Sequence, residues 1–253
     1  MSDELKRNRL LALLSRSERQ RLAPYCQAIE FWAGDTLYSE HDRLEFVYFP
    51  RSGLITSELT MADGREVALS AVGREGAICF APEYSVSHLA LKAVARLPGK
   101  AWRIPFSVWR DVVGHDPWRS LCTAYQALCL CETQQAAACH LLHDVESRLC
   151  RWLLHMHDRT AGNVIPMTHA ELSNLASIRR TTVTLIVGSL ESAGIIANRR
   201  GAVEVSDRFA LESAACECYG AMRRLHDAFD RRFADEPVDE LPTAIAPLTD
   251  LSG

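Results

Sequence analysis

Thr168-His169-Ala170-Glu171-Leu172-Ser173-Asn174-Leu175-Ala176-Ser177-Ile178-Arg179-Arg180-Thr181-Thr182-Val183-Thr184-Leu185-Ile186-Val187-Gly188-Ser189-Leu190 holds two helix signatures back to back. Thr168 and Glu171 have capping-box spacing: the Thr hydroxyl can accept from the Glu amide while the Glu side chain reaches back. A short helix carrying Leu172 and Leu175 is expected next, then a turn near Ser177-Ile178. The second helix places Val183, Ile186, Val187 and Leu190 at i, i+3, i+4 and i+7, one apolar face. Gly194 suits the left-handed residue past its end. Ile195-Ile196-Ala197, the turn Asn198-Arg199-Arg200-Gly201 and Ala202-Val203-Glu204-Val205 then read as a hairpin.

Helix, turn, amphipathic helix and basic hairpin together predict a winged helix-turn-helix, with a further helix from about Arg208 to Arg232. In such a motif the second helix buries one face and leaves its first turn free to enter a major groove. The free face includes Arg180, Thr181, Thr182 and Thr184, with Arg179 just before it. Thr168 and His169, at the first helix N-terminus, can hold a phosphate. The wing-tip Arg199 and Arg200 can contact the nucleic-acid backbone, and an arginine fork can read guanine.

Upstream the pattern changes. From Ile29 to about Ile104, short apolar runs such as Phe46-Val47-Tyr48-Phe49, Val67-Ala68-Leu69 and Trp102-Arg103-Ile104 alternate with turns such as Ala33-Gly34-Asp35, Ala62-Asp63-Gly64 and Pro98-Gly99. Strands at this spacing predict an antiparallel β-roll or sandwich. Short helices are expected from about residue 3 to 24. Asp116-Pro117 suits an N-cap and first helical position, and a long helix is expected from there to about His143, followed by another from Asp144 to Met156. On the long helix Leu121, Tyr125, Leu128, Glu132, Gln135, Cys139 and Leu142 form a partly polar 4-3 stripe, expected to pack on a second copy and on the roll. The expected class is α+β: a roll domain over 1–115, a dimerisation helix over 116–143, the winged domain over 144–232 and a disordered acidic tail over 233–253.

The 253 residues are 48% hydrophobic and 24% charged, ordinary for a globular protein with a sizeable core. No window approaches a membrane span and the N-terminus lacks a signal-peptide pattern, so a cytoplasmic location without membrane contact is expected. The formal charge is −4 but uneven. Residues 168–203 hold four arginines against two glutamates, while the segment from Asp227 onward is strongly acidic, so a basic DNA-binding patch can sit inside an acidic total. The nine cysteines do not read as a disulfide framework. They are expected to be mostly buried small hydrophobes, with redox or metal sensing the minority reading. Cys216-x-Cys218 has metal-like brevity but no second pair at zinc spacing. The His140/His143 pair is read as solvated or interfacial, and no metal ligand is assigned.

The stretches Thr168 to Ala176, Arg179 to Thr184, Leu190-Glu191-Ser192-Ala193-Gly194-Ile195-Ile196 and Arg200 to Arg208 resemble the CRP/FNR regulator family, as do Leu211-Glu212 and Cys216-Glu217-Cys218-Tyr219. The resemblance covers roughly residues 10 to 230, specific in the last third and looser in the roll. It implies a cyclic-nucleotide-binding-like roll, a long dimer helix and DNA reading by the second helix of the motif. It also implies a double-stranded DNA partner, a homodimer on a pseudo-palindromic site and, for an activator, contact with RNA polymerase. Members that bind cyclic AMP carry a Gly-Glu pair for the ribose and an arginine for the cyclic phosphate. Here the matching stretches read Gly76-Ala77-Ile78-Cys79-Phe80-Ala81 and Leu89-Ala90-Leu91-Lys92-Ala93, with Leu89 at the arginine's place. Cyclic AMP is therefore not expected, because a cyclic phosphate needs a charge-assisted partner. Phe80, Ala81, Leu89 and Leu91 line the expected effector pocket; the effector is unknown and no cofactor is expected.

No enzyme signature is found, and the chain is read as a non-enzyme. The competing reading is a roll-based metalloenzyme or small-molecule-binding module whose C-terminal domain docks a partner. Such a roll needs several inward histidines, and between Ile29 and Ile104 the sequence offers His41 and His88.

Overall fold

A computed structural model describes residues 3–78, 91–113 and 118–234. Asp116-Pro117, the pocket residues Phe80, Ala81 and Leu89, and the tail from 235 onward lie outside the described residues.

Helices α1 (Arg9–Ala12) and α2 (Arg16–Leu22) open the chain. Asn8 fastens them: its side chain accepts from the Leu11 amide and donates to the carbonyls of Pro50 (2.9 Å) and Gly76 (2.8 Å). It is fully buried, so each of these bonds replaces water it has lost.

Seven strands follow among the described residues: β1 (Gln27–Phe31), β2 (Thr36–Tyr38), β3 (Phe46–Pro50), β4 (Leu54–Thr60), β5 (Glu66–Val72), β6 (Lys92–Leu97) and β7 (Gly99–Pro105). They form two antiparallel sheets, ordered β1-β7-β3 and β2-β6-β4-β5. Phe31, Tyr48, Ile55, Val72 and Ile78 meet in the roll, and Ala93, Ala95 and Ala101 keep that space narrow.

Helix α3 (Phe106–Val113) leads to the long α4 (Trp118–Leu142). Asp144 caps α5 (Val145–His157), accepting from the Ser147 amide at 2.9 Å. The C-terminal part then runs β8 (Val164–Ile165), α6 (His169–Ala176), α7 (Arg180–Ser192), β9 (Ile196–Arg199), β10 (Ala202–Val205), α8 (Arg208–Ala214) and α9 (Cys218–Ala234). β8 adds to the expected hairpin, giving a sheet ordered β8-β10-β9.

The single helix expected over 208–232 is two helices. The break over residues 215–217 lets α9 turn back along α4, where Leu225, Phe229 and Phe233 join Trp109, Trp118, Leu121, Tyr125 and Leu128 in one apolar cluster.

This changes the reading of α4. Leu121, Tyr125 and Leu128 are buried within the protomer, and Cys139 packs on Cys216 and Cys218. Glu132 Oε1 accepts from His226 Nε2 of α9 at 2.7 Å, and Gln135 donates to the Cys218 sulfur at 3.0 Å. Of the stripe expected to face a second copy, Leu142 alone is solvent-exposed. The expected packing on the roll is present, with Val47, Phe49, Trp102 and Ile104 in the same cluster; the rest of the stripe is covered by α9, which comes from 94 residues away at His226 and is absent from the local pattern. The face that α4 leaves open carries Thr123, Ala127, Leu130, Gln134, Ala137 and Leu141, again at 4-3 spacing.

Candidate nucleic-acid interface

The capping box of α6 forms as expected: the Glu171 amide donates to Thr168 Oγ1 (3.3 Å) and the Thr168 amide to Glu171 Oε2 (2.7 Å). The Thr168 hydroxyl also donates to that carboxylate at 2.8 Å. Thr168 is thus committed to its own cap.

The turn between the helices is made by Ser177, which takes the left-handed conformation (φ 53°) and lets the Ile178 amide donate to the Ser173 carbonyl at 3.0 Å. Few side chains tolerate this backbone; a short polar one does so at modest cost. Ile178 is then buried and α7 starts at Arg180 with Arg179 as N-cap. No side chain caps this terminus, so the first-turn amides of α7 are left to an outside acceptor.

Val183, Ile186, Val187 and Leu190 bury against Leu172, Leu175 and Ala176 of α6 and Trp152 of α5. The opposite face presents Arg179, Arg180, Thr181, Thr184 and Leu185, while Thr182 is half-buried. Leu185 is 75% exposed on this face, an apolar group among polar ones. Gly194 takes φ 74° past the helix end, and the Ile195 amide closes on the Leu190 carbonyl at 3.0 Å.

Thr184 and His169 form a brace between the two helices. The Thr184 hydroxyl donates to the Arg180 carbonyl (3.0 Å), so His169 Nδ1, 3.2 Å away, must donate to Thr184 Oγ1. The other ring nitrogen is buried with no partner among the described residues. Both residues were expected to touch DNA; both are held by the protein.

In the wing, Arg199 pairs with Ala202 across a two-residue loop, Arg200-Gly201, with Gly201 at φ 74°. Arg199 Nε donates to Glu204 Oε2 at 2.8 Å, which spends part of its charge. Arg179, Arg180 and Arg200 make no ion pair among the described residues. On this surface the cations without an ion pair among the described residues are thus Arg179 and Arg180 at the start of α7 and Arg200 at the wing tip.

The winged unit is joined to the roll by packing and by an ion pair. Leu54, Ala68 and Leu97 share one cluster with Trp152, Met156 and Ile165. Glu75, in the turn after β5, accepts from Arg159 Nε at 3.0 Å, beyond the end of α5. Burial disfavours the charged Glu75 carboxylate, but the Arg159 charge and the Gly73 amide outweigh it and hold its pKa at about 2.

In the roll, α4 reaches the backbone of Ala77. The Tyr125 hydroxyl accepts from the Ala77 amide at 2.9 Å, and a side chain at Gly76 would collide with it. Tyr125, read from its spacing as an interface residue, is buried in the protomer and fixes the Ala77 backbone. Leu91, just before β6, is half-buried. A separate cleft of about 630 Å³ lies between the roll and α9, lined by Arg9, Arg51, Arg74, Arg159, Arg208 and Arg223 among others.

Residues 147–214 match the family model described as the Crp-like helix-turn-helix domain. No curated protein sequence matches the chain. Among solved structures, the chain resembles the c-di-GMP-responsive global regulator CLP of Xanthomonas campestris (16% identity, 76% of this chain and 99% of that one, TM-score 0.61). It also resembles FixK2 from Bradyrhizobium japonicum (16% identity, 76% and 98%, TM-score 0.60). A CRP-family transcriptional regulator from Thermus thermophilus is similar too (19% identity, 74% and 96%, TM-score 0.61). At these identities the likeness establishes the fold.

Proposed function

We propose that this chain, which carries a Crp-like helix-turn-helix domain on the fold of the CRP/FNR regulators, is a sequence-specific DNA-binding transcription regulator that works as a homodimer. The observation that carries the reading is the unpaired Arg179 and Arg180 at the uncapped start of α7, on the face opposite its buried stripe. Uncapped amides and two free guanidinium groups suit a phosphate and a guanine edge. Leu185 suits a thymine methyl group. Arg200 at the wing tip suits the backbone beside the groove.

The open 4-3 face of α4, from Thr123 to Leu141, supports pairing of two copies. A twofold dimer would set its two α7 helices into successive major grooves, about 34 Å apart, on a pseudo-palindrome. Ala77 at the position of the ribose carboxylate, with its backbone held by Tyr125, supports the reading that cyclic AMP is not the effector.

The test is selection of bound sequences from a random duplex pool at near-physiological salt. Enrichment of one pseudo-palindrome is expected. No enrichment above a variant lacking Arg179 and Arg180 would overturn the reading.

A further inference from the structure

Four metal-binding side chains converge where α4 ends and α8 gives way to α9. Cys139 and His143 stand one helical turn apart; Cys216 and Cys218 flank Glu217 at the start of α9. The sulfurs of Cys139 and Cys216 lie 3.5 Å apart, and Cys218 Sγ lies 3.4 Å from His143 Nδ1. All four donor atoms fall within 4.8 Å of one another. A tetrahedral zinc ion, with bonds of about 2.3 Å to sulfur and about 2.0 Å to nitrogen, sets edges of about 3.5–3.8 Å between its ligands. The Cys139–Cys216 and Cys218–His143 separations match such edges, and no pair of donors is more than 4.8 Å apart. A two-iron cluster divides its ligands between two metals and would hold them farther apart.

The surroundings suit a metal as well. His143 turns Nε2 to Glu217 Oε1 at 3.0 Å, leaving Nδ1 toward the sulfurs; metal-bound histidines hold their second nitrogen in this way. Gln135 donates to the Cys218 sulfur, and the Cys218 backbone bonds the Cys216 sulfur. Arg151 is 2% exposed, has no ion-pair partner among the described residues, and its Nε has no hydrogen bond. A buried cation without a counter-charge is costly. The Arg151 charge lies within electrostatic reach of Cys139. A divalent ion on three thiolates carries one net negative charge, and Arg151 is placed to balance it.

We propose that Cys139 Sγ, His143 Nδ1, Cys216 Sγ and Cys218 Sγ bind one zinc ion, oriented by Glu217 and Gln135. Three thiolates and an imidazole form the closed donor set of structural zinc sites. Binding releases the three thiol protons to solvent and keeps the imidazole neutral. The ion ties the end of the long helix to the α8–α9 break, the joint at which the winged unit leaves and rejoins the rest of the chain.

The experiment is metal analysis of the full chain, expressed with added zinc and purified without air, followed by replacement with cobalt(II). About one zinc per chain is expected, with the visible bands of tetrahedral cobalt and thiolate charge transfer. Cys216→Ser and Cys218→Ser should each abolish stoichiometric metal. Glu217→Gln should keep one ion but bind it about 10–100-fold more weakly. If the cysteine variants fail to fold, the cobalt spectrum of the unaltered chain and the Glu217→Gln affinity decide the matter. Metal-free protein, an octahedral cobalt spectrum, or metal content unchanged in a folded Cys139→Ser/Cys216→Ser chain would overturn the proposal. So would a Cys139–Cys216 disulfide in the anaerobically purified protein.

Discussion

Glu75 and Arg159 meet across the boundary between the roll and the winged unit: Arg159 Nε lies 3.0 Å from Glu75 Oε1, with the two side chains 14% and 13% exposed. The pair is nearly enclosed, so each charge depends on the other for the solvation it has lost. Arg159 also donates to the His155 carbonyl at 2.8 Å, which anchors the guanidinium to α5.

Glu75→Gln should therefore destabilise the fold by about 3 kcal/mol, because a largely desolvated Arg159 would be left without its counter-charge. Denaturant unfolding at pH 7 measures this. The folded carboxyl titrates at about 2, below the unfolded value near 4.3. Its contribution is present above the unfolded value and is lost as pH falls through about 2. Acid titration of the Glu75→Gln chain should show a shallower loss of stability between those limits than the unaltered chain.

His226 should act with the opposite sign. Burial alone would lower its pKa, but the Glu132 carboxylate 2.7 Å away, with Glu75 beyond it, raises it against the opposing Arg159 charge. Its contribution is full below the ordinary histidine value and is lost as pH rises through the raised one. Comparing unfolding midpoints of the unaltered chain and His226→Gln from pH 6 to 9 tests this; the difference should shrink with rising pH.

The two faces of α4 should separate cleanly by mutation. Leu121→Ala, at a fully buried position, should cost about 2–5 kcal/mol of protomer stability. Leu130→Glu with Leu141→Glu, at exposed positions, should leave protomer secondary structure intact and shift the mass in light scattering from dimer to monomer. A dimer that survives the double change would show that another face pairs the copies.

Arg180→Ala should cost about 1–3 kcal/mol and relax preference at one base position of each half-site. Arg200→Ala should weaken all duplexes alike and lower the slope of log K against log salt by about 1. Thr184→Ala removes the acceptor for His169 and should lower thermal stability more than base preference.

What could be read along the chain was local. The Thr168–Glu171 cap, Gly194 and the Arg200-Gly201 loop each depend on residues within a few positions, and each formed as expected. The helix-turn-helix followed from these and from the 3.6-residue period of α7. Burial by distant partners could not be read. Tyr125 and Leu128 fit a dimer stripe as well as they fit a core, until α9 is seen to cover them. His169 looked free for phosphate because nothing local showed Thr184 opposite it. The cysteine cluster spans 77 residues between Cys139 and Cys216. Its trace in the sequence was Cys139-x3-His143, one helical turn, rather than the His140/His143 pair.

The break that sends α9 back along α4 has a topological consequence. The segment from 144 to 215 begins and finishes at one place, where Cys139 and Cys216 touch and His143 meets Glu217. The winged unit is thus an insertion, hung from a host made of the roll, α4 and α9, and the host completes its own core with Phe229 and Phe233 only after the insertion has been made. Both ends of the insertion are pinned at one point, while its body is held to the roll by the Leu54, Ala68 and Leu97 cluster and the Glu75–Arg159 pair. A graft that replaced residues 144–215 with another module of closely spaced ends would leave the host's chain path unbroken.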